Sequence, residues 1–338
     1  MNGKQQQPKT LQDAIVFYSN PDNALAYMVR LRWPDGVVTC PKCGRKDVVF
    51  LKNQRKWQCK STHDHRQFSA KVGSIFEDSP IPLEKWLTAV WMLSNCKNGV
   101  SSYEIGRTLG VTQKTAWFMM HRIRLGMRDR NFGTKLGDGN EGGGAVEVDE
   151  TFVGGKAKNM HKGRRLELAK IRNGISDNTD AYPGKTAVQG FLDRDARKVR
   201  ATVVPNVKRE TLQEGILKNV KYGSRLYTDA AVAYDNMNWK YIHEVVNKLE
   251  GYVRGQVHTN GLENFWSLLK RGLHGTYVAV EPFHLFRYLD EQVFRYNNRG
   301  TRQNKISDAG RFDLAMSDIM GKRLTFAELT GKDGETSF

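Results

Sequence analysis

Few cysteines, a shortage of acidic side chains and the want of any long apolar run bound what this chain can be. Its 338 residues include only four cysteines, too few for a disulfide framework in a cytosolic chain of this length. They read instead as metal ligands or buried thiols. No apolar stretch is long enough to span a bilayer and no signal pattern precedes the first helix, so a cytoplasmic protein without a membrane partner is expected. No internal repeat is found. Acidic residues number 36 against 53 Lys and Arg, a formal charge of +17. A field of that size favours a polyanion as partner, a merely basic or ribosome-associated protein being the bland alternative. The length suggests two or three domains and at least one substantial core.

The text of the chain changes several times. From about Leu11 to Val38 apolar positions are scattered at spacings that suit one or two short helices, ended by Arg32-Trp33-Pro34-Asp35-Gly36, where Pro and Gly force a turn. A cysteine-bearing module follows over 39–80. Over 81–130 the pattern is helical, with Trp86, Val90 and Leu93 on one face and Ile105, Leu109, Ala116, Met119 and Ile123 at later helical spacings. Residues 131–144 are glycine-rich and read as a linker. Over 145–300 the signals become mixed α/β: a strand at Ala145 to Val153 and a basic irregular insert from Gly154 to Gly184. Two strands follow, Thr186 to Leu192 and Val199 to Val204, joined by a hairpin turn at Asp193-Arg194-Asp195-Ala196. Then come a helix at about Arg209 to Val220, strands at Arg225 to Thr228 and Tyr241 to Val246, and helices at about Gly261 to Arg271 and Pro282 to Tyr296. The tail, 301–338, has weak helical signals and no assigned role.

Cys40-Pro41-Lys42-Cys43-Gly44 has the form of a zinc knuckle, two thiolates two residues apart with a glycine that lets the backbone turn both sulfurs toward one ion. Cys59 begins the second half, where a second cysteine is missing. The fourth ligand is therefore a histidine, His63 or His65, both within reach. Cys96, between apolar neighbours, reads as a buried thiol.

Ser101 and Glu104 have capping-box spacing, Gly110 supplies a turn, and Thr112 caps a second helix running to about Arg124. This is the arrangement of a helix-turn-helix, whose second helix enters a major groove with Gln113, Lys114 and Trp117 exposed. Arg122 and Arg124, with Arg128 and Arg130 following, suit phosphate contact. Helix pairs of this form also serve as plain packing units.

The chemistry rests on three acids. Asp149 and Asp229 each close a short β-rich run, and Glu263 stands near the start of an amphipathic helix in His258-Thr259-Asn260-Gly261-Leu262-Glu263-Asn264-Phe265-Trp266. Phosphodiester cleavage or transfer needs two divalent ions about 4 Å apart, held by hard carboxylate oxygens of which at least one bridges. Asp149 and Asp229 meet if their strands are neighbours, and Glu263 then completes the cage from the helix. Each acid has a plain alternative: a strand-end charge for Asp149, a turn residue for Asp229, and for Glu263 a capping box with Asn260. Asn260 and His258 are also within reach of the metals or a phosphate. Lys270 and Arg271 suit a DNA backbone, as do Lys156, Lys158, His161, Lys162, Arg164 and Arg165 in the insert.

With these residues in place the chain resembles the bacterial insertion-sequence transposases that join an N-terminal zinc ribbon to a DDE-type domain (insertion sequence family fifteen-ninety-five, ISXO-like). The resemblance spans nearly the whole chain. It rests on Arg32-Trp33-Pro34-Asp35-Gly36 before the cysteine pair, on Gln67-Phe68-Ser69 and Gly73-Ser74-Ile75-Phe76-Glu77-Asp78-Ser79 after it, and on Val146-Glu147-Val148-Asp149-Glu150-Thr151-Phe152-Val153-Gly154-Gly155-Lys156. It continues through Tyr227-Thr228-Asp229, through His258 to Arg271, and through Phe294-Arg295-Tyr296-Asn297-Asn298-Arg299.

The resemblance implies an RNase H-like mixed-sheet catalytic domain behind a zinc ribbon and a helix-turn-helix. It also implies two Mg2+ ions (Mn2+ being able to replace them), a structural Zn2+, and a transposase that cuts double-stranded DNA at terminal inverted repeats and joins the freed 3′ ends to a target. Asp149 and Asp229 match the first two acids of the family. Glu263 is taken as the third, although family members vary there and Asn260 or His258 could take the role. Similar chains carry histidine near His63, which favours it over His65. A homodimer or larger synaptic assembly and a nucleoid-associated location follow. The alternatives are a non-catalytic DNA-binding regulator and a nuclease without strand transfer.

Overall fold

A computed structural model of the chain describes residues 8–128, 134–138, 144–155, 162–163, 185–246, 257–301 and 305–332. Two units separate, one of Met1–Arg128 with Asn298–Phe338 and one of Asp129–Asn297. The first begins with α1 (Leu11–Tyr18) and α2 (Pro21–Arg32), each started by a polar cap. The Thr10 hydroxyl accepts from the Asp13 amide while Asp13 accepts from the Thr10 amide, and Asn20 accepts from the Asp22 amide ahead of a helix opened by Pro21. A three-stranded antiparallel ribbon follows: β1 (Val48–Leu51), β2 (Lys56–Cys59) and β3 (Gln67–Phe68). Its small core is aromatic, Trp57 lying 5.5 Å from Trp33 and 6.0 Å from Phe68 between ring centroids.

The apolar spacing of residues 83–95 makes α3 (Leu83–Asn95) the spine of this unit, with Trp86, Leu87, Val90, Trp91 and Leu93 all buried. The helix pair expected next is present as α4 (Ser102–Leu109) and α5 (Gln113–Met127). The Ser101–Glu104 capping box forms, Gly110 takes the left-handed conformation at φ +60°, and the Thr112 hydroxyl accepts from the Thr115 amide.

The second unit is a mixed sheet between helices. Its elements in chain order are β4 (Ala145–Val153), β5 (Thr186–Asp193), β6 (Lys198–Val204), α6 (Arg209–Asn219), β7 (Arg225–Asp229), β8 (Ile242–Val246), α7 (Asn260–Gly272) and α8 (Leu285–Asn297). The strand order is β6-β5-β4-β7-β8. β4, β5 and β6 pair antiparallel, and β4, β7 and β8 pair parallel. That is the RNase H-like arrangement.

Alternation along the central strand divides its side chains between the two faces. Val146 and Val148 point into a core with Phe191, Leu212 and Ile216, under α6. Glu147 and Asp149 point the other way, where Val188, Leu192 and Val199 pack with Leu262, Phe265, Trp266 and Leu269 of α7 and Leu285 and Leu289 of α8. The expected linker is partly built into this unit. Leu136 is buried, its amide donates to the Asn219 carbonyl at 2.7 Å, and the Gly137 amide donates to Asp193 at 2.9 Å.

The tail returns to the first unit rather than trailing from the second. Phe312 of α9 (Asp308–Ser317) packs its ring 5.4, 5.3 and 5.1 Å from those of Tyr18, Tyr27 and Trp91. The Tyr27 hydroxyl donates to Asp313 at 2.8 Å. A last short helix, α10 (Phe326–Leu329), sets Phe326 edge-on to Phe118 at 5.6 Å. The ribbon, the helix pair and the tail, expected as separate segments, thus share one unit. The joining contacts lie far apart in sequence, where local pattern carries no signal.

Candidate active site and metal centre

The parallel pairing of β4 with β7 aligns Ala145 with Arg225 and Glu147 with Tyr227. Two residues further along both strands stand Asp149 and Asp229, on the same face and at the same end of the sheet. Asp149 is buried; Asp229 is half-buried, and its Oδ1 accepts the Ala231 amide at 3.1 Å, so it also shapes the turn that follows. Glu263 lies on α7, half-buried, one turn before Trp266, whose indole Nε1 donates to Asp149 Oδ2 at 2.9 Å. The same helix therefore touches Asp149 and carries Glu263.

Two features make that contact possible. Asp149 pairs with Gly190 across the sheet, and a Cβ on Gly190 would stand 2.5 Å from the Trp266 ring. Glycine is what lets the indole lie against the strand and reach the carboxylate. The start of α7 is held by Glu147, one pleat back on β4, whose Oε2 accepts the Leu262 amide at 3.0 Å and whose Oε1 pairs with Arg194 at 2.7 Å. A carboxylate on the first turn of a helix satisfies an otherwise orphaned N–H and favours the dipole. Arg194 goes on to donate to the His258 carbonyl at 2.7 Å and to His258 Nδ1 at 2.6 Å.

These contacts bear on the alternatives for the third position. His258 belongs to the anchor that fastens α7, and Asn260 is the exposed first residue of that helix. The capping box of Asn260 with Glu263 does not form: the cap is Thr259, without a side-chain bond, and the Glu263 amide donates to the Thr259 carbonyl at 3.0 Å. Glu147, Gly190, Arg194 and Trp266 were not singled out as site residues from sequence. A lone glycine inside an apolar strand and an acid two residues before Asp149 were the available signals.

Negative charge accumulates at this end of the sheet. Burial first, then the charges of Asp149 and Asp229, push the Glu150 carboxyl up to about 8. Among the described residues the three acids are not drawn as close as the ligands of a single ion; the one group whose donor atoms all lie within 4.8 Å of one another is in the ribbon. A pair of ions about 4 Å apart needs a wider cage. Hard carboxylate oxygens and crowded negative charge suit divalent cations of the Mg2+ class.

The ribbon group is Cys40, Cys43, Cys59 and His63. Cys43 Sγ stands 3.6 Å from Cys59 Sγ, and Cys40 Sγ stands 3.5 Å from His63 Nε2. A tetrahedron with metal–sulfur bonds of about 2.3 Å has edges of about 3.8 Å, so the donors are placed for one zinc ion. The other nitrogen of His63, Nδ1, lies 2.8 Å from the Asp64 carbonyl, which presents Nε2 as ligand. Bonds from Ser61, then from His63 and Cys43, lower the Cys59 thiol to about 6, toward the thiolate a metal takes. His65 stands outside the group, in a left-handed backbone conformation at φ +56°.

The expected DNA contacts divide. Gln113 and Lys114 are exposed on the first turn of α5; Gln113 donates to the Ser102 hydroxyl at 2.9 Å, and Lys114 lies 4.8 Å above the Phe326 ring. Arg122 and Arg124 require correction. Both are buried, Arg122 donating to the Glu77 carbonyl while stacked on Trp86 and Phe118, so they hold the helical core and do not reach phosphate. The two lie on opposite sides of α5, and both are interior because α3, α4 and the tail helices α9 and α10 together cover the second half of that helix. Trp117 is half-buried against His121, ring centroids 4.5 Å apart. On α7 Lys270 is half-buried and Arg271 exposed. Arg128 and Lys162 are exposed; Arg130, Lys156, Lys158, His161, Arg164 and Arg165 lie outside the described residues.

A Cys3His ribbon ahead of a five-stranded mixed sheet, with acids at matching positions on adjacent parallel strands, defines a zinc-ribbon protein with an RNase H-like domain of the DDE class. Residues 142–297 match the ISXO2-like transposase domain and residues 19–65 match the transposase zinc-ribbon domain. With both present in this order, the chain belongs to the insertion-sequence transposases that join a zinc ribbon to a DDE-type domain.

It is 26% identical over 254 residues to an uncharacterized protein in transposable element ISH50 of Halobacterium salinarum, covering 73% of this chain and 81% of that one. A chain in the simian T-cell lymphotropic virus intasome with a PP2A regulatory subunit is similar at a TM-score of 0.30 and 12% identity, over 67% of this chain and 74% of that chain. At that score it carries no weight in the fold. No helix among the described residues is long and apolar enough to cross a membrane.

Proposed function

We propose that this chain is a DNA transposase that binds the terminal inverted repeats of its element, cuts at their ends and transfers the freed 3′ ends into target DNA. The observation that carries the reading is the alignment of Asp149 with Asp229 on adjacent parallel strands, under a helix that bears Glu263 and is bonded to Asp149. Asp149, Asp229 and Glu263 would hold a pair of Mg2+ ions, for which Mn2+ can stand in. Such ions supply activation of water and then of a 3′-hydroxyl, and stabilisation of the leaving oxygen. The chain's own part is orientation. Trp266 holds Asp149 through its Oδ2, Glu147 and Arg194 fix where α7 begins, and the apolar face of α7 excludes water behind the carboxylates.

Cys40, Cys43, Cys59 and His63 would bind a structural Zn2+. The ribbon and the α4–α5 pair, with Gln113 and Lys114, would read the repeats, and Lys270 and Arg271 would contact the backbone of the strand being cut. Joining two ends requires a dimer or larger synaptic assembly. The test is a strand-transfer assay with a terminal-repeat duplex: Asp149→Asn is expected to abolish Mg2+-dependent nicking and joining while end binding persists. Full activity in that variant overturns the assignment, and nicking without joined products in the wild type identifies a nuclease instead.

A further inference from the structure

A second surface stands out at the opposite end of the sheet, before β7 and β8 begin. Trp239 is 72% exposed and Tyr222 53% exposed, unusual for such large rings. Lys240 Nζ lies 4.0 Å from the centroid of Trp239 and 4.7 Å from that of Tyr222, and Lys135 Nζ lies 4.9 Å from Tyr222. Lys221 is exposed beside them.

These side chains come from three separate segments locked together by backbone bonds. The Gly223 amide donates to the Lys240 carbonyl at 2.8 Å, the Lys221 amide to the Leu136 carbonyl at 2.9 Å, and the Lys240 and Tyr241 amides to the Met237 carbonyl at 3.1 Å. Met237 and Tyr241 sink into the core beneath and fix the base of the patch. Lys135 is tethered as well, donating to the Leu217 carbonyl in the last turn of α6 at 2.6 Å. The rings are therefore presented, rather than left loose, and cations are held against their faces.

Flat aromatic faces bordered by ammonium groups are what an unstacked nucleobase with its phosphates requires: every base has a π-face to stack, and each phosphate finds a cation. An apolar protein partner would be poorly served by three lysines at the contact. We propose that Trp239 and Tyr222, with Lys135, Lys221 and Lys240, form a docking site for unpaired DNA, distinct from the carboxylate end. The length of β7 alone separates the two by about 13 Å, at roughly 3.3 Å per residue. The proposal rests on the reading of the chain as a DNA-processing protein, since unpaired strands arise where ends are cut and target DNA is opened.

The test uses the full chain and fluorescence anisotropy with a labelled oligothymidine and, separately, a blunt duplex of the terminal repeat. Trp239→Ala is expected to weaken single-strand binding about tenfold and duplex binding less than about twofold, while Trp239→Phe keeps most of the affinity. Lys240→Gln is expected to lower the salt slope of single-strand binding by about 0.7. Unchanged oligothymidine binding in Trp239→Ala overturns the proposal. So does an equal loss on both probes, or a changed sedimentation profile, which would mark the patch as a protein interface. Nicking by the wild type and by Asp149→Asn, measured alongside, reports on the catalytic reading independently, because the binding comparison needs no cleavage.

Discussion

The indole of Trp266 donates its N–H to Asp149 at 2.9 Å, joining the helix that carries Glu263 to the strand that carries the first acid. The bond closes over Gly190, the one residue type that leaves room for the ring. It converts two elements more than a hundred residues apart in sequence into one structural unit.

Removing the donor while keeping a ring tests this role. Trp266→Phe should cost about 1–3 kcal/mol of stability in the catalytic unit, since a buried acceptor loses its partner. If the site works as proposed, it should also raise the Mg2+ concentration needed for nicking, with recovery at high Mg2+. Gly190→Ala should reach the same end by a different route, a clash with the ring worth about 1–3 kcal/mol. Urea unfolding and a metal titration of the nicking rate measure both. A variant that is destabilised but keeps wild-type metal dependence would leave Trp266 a packing residue only.

In the ribbon, His63→Ala should release the bound zinc and collapse the small aromatic core of Trp33, Trp57 and Phe68. His65→Ala should retain one zinc per chain. Metal content by atomic absorption, with near-ultraviolet circular dichroism, distinguishes the two. Chelation of the wild type should mimic His63→Ala, because a module with so small a core draws its folding energy from the metal.

Phe312 fills the centre of a cage made by Tyr18, Tyr27 and Trp91. Truncation to Ala should cost about 3–5 kcal/mol in the N-terminal unit and leave the catalytic unit's melting unchanged. Differential scanning calorimetry resolves the two transitions. Equal loss in both, or in neither, would contradict the assignment of the tail to the first unit.

His243 lies against Thr228, its Nε2 2.8 Å from the hydroxyl, and burial pushes its pKa below the ordinary histidine value while Asp235 pulls it the other way. A folded-state pKa that is depressed means the native state holds the imidazole neutral. The stability this contributes is present above about pH 6.5, the unfolded value, and is lost as the pH falls through the folded one. Urea midpoints taken from pH 7.5 down to 5 should fall less steeply in His243→Gln than in the wild type. Parallel slopes would remove His243 from the acid response.

Much of the architecture was legible along the chain. The alternation in Val146-Glu147-Val148-Asp149 marks a strand, the capping box at Ser101 and Glu104 marks a helix start, and Gly110 marks its end, because each of these signals acts over a few residues. The Cys40, Cys43 and Cys59 spacing declares a metal module for the same reason. Arg122 and Arg124 lie on opposite sides of α5, and helical period does not say how many sides of a helix are covered. Only the packing of α3, α4, α9 and α10 around α5 decides that both are interior.

The sequence by itself determined the order of strands and helices, the metal-binding ribbon and the three acids worth watching, since local propensity and ligand spacing are written in consecutive residues. The tertiary structure alone decided that Asp149 and Asp229 lie at the same end of adjacent parallel strands, that Trp266 reaches Asp149 over Gly190, and that the tail completes the first unit. Those outcomes depend on strand register and on contacts between residues distant along the chain. They are set by the burial of shared apolar faces, which no local pattern specifies.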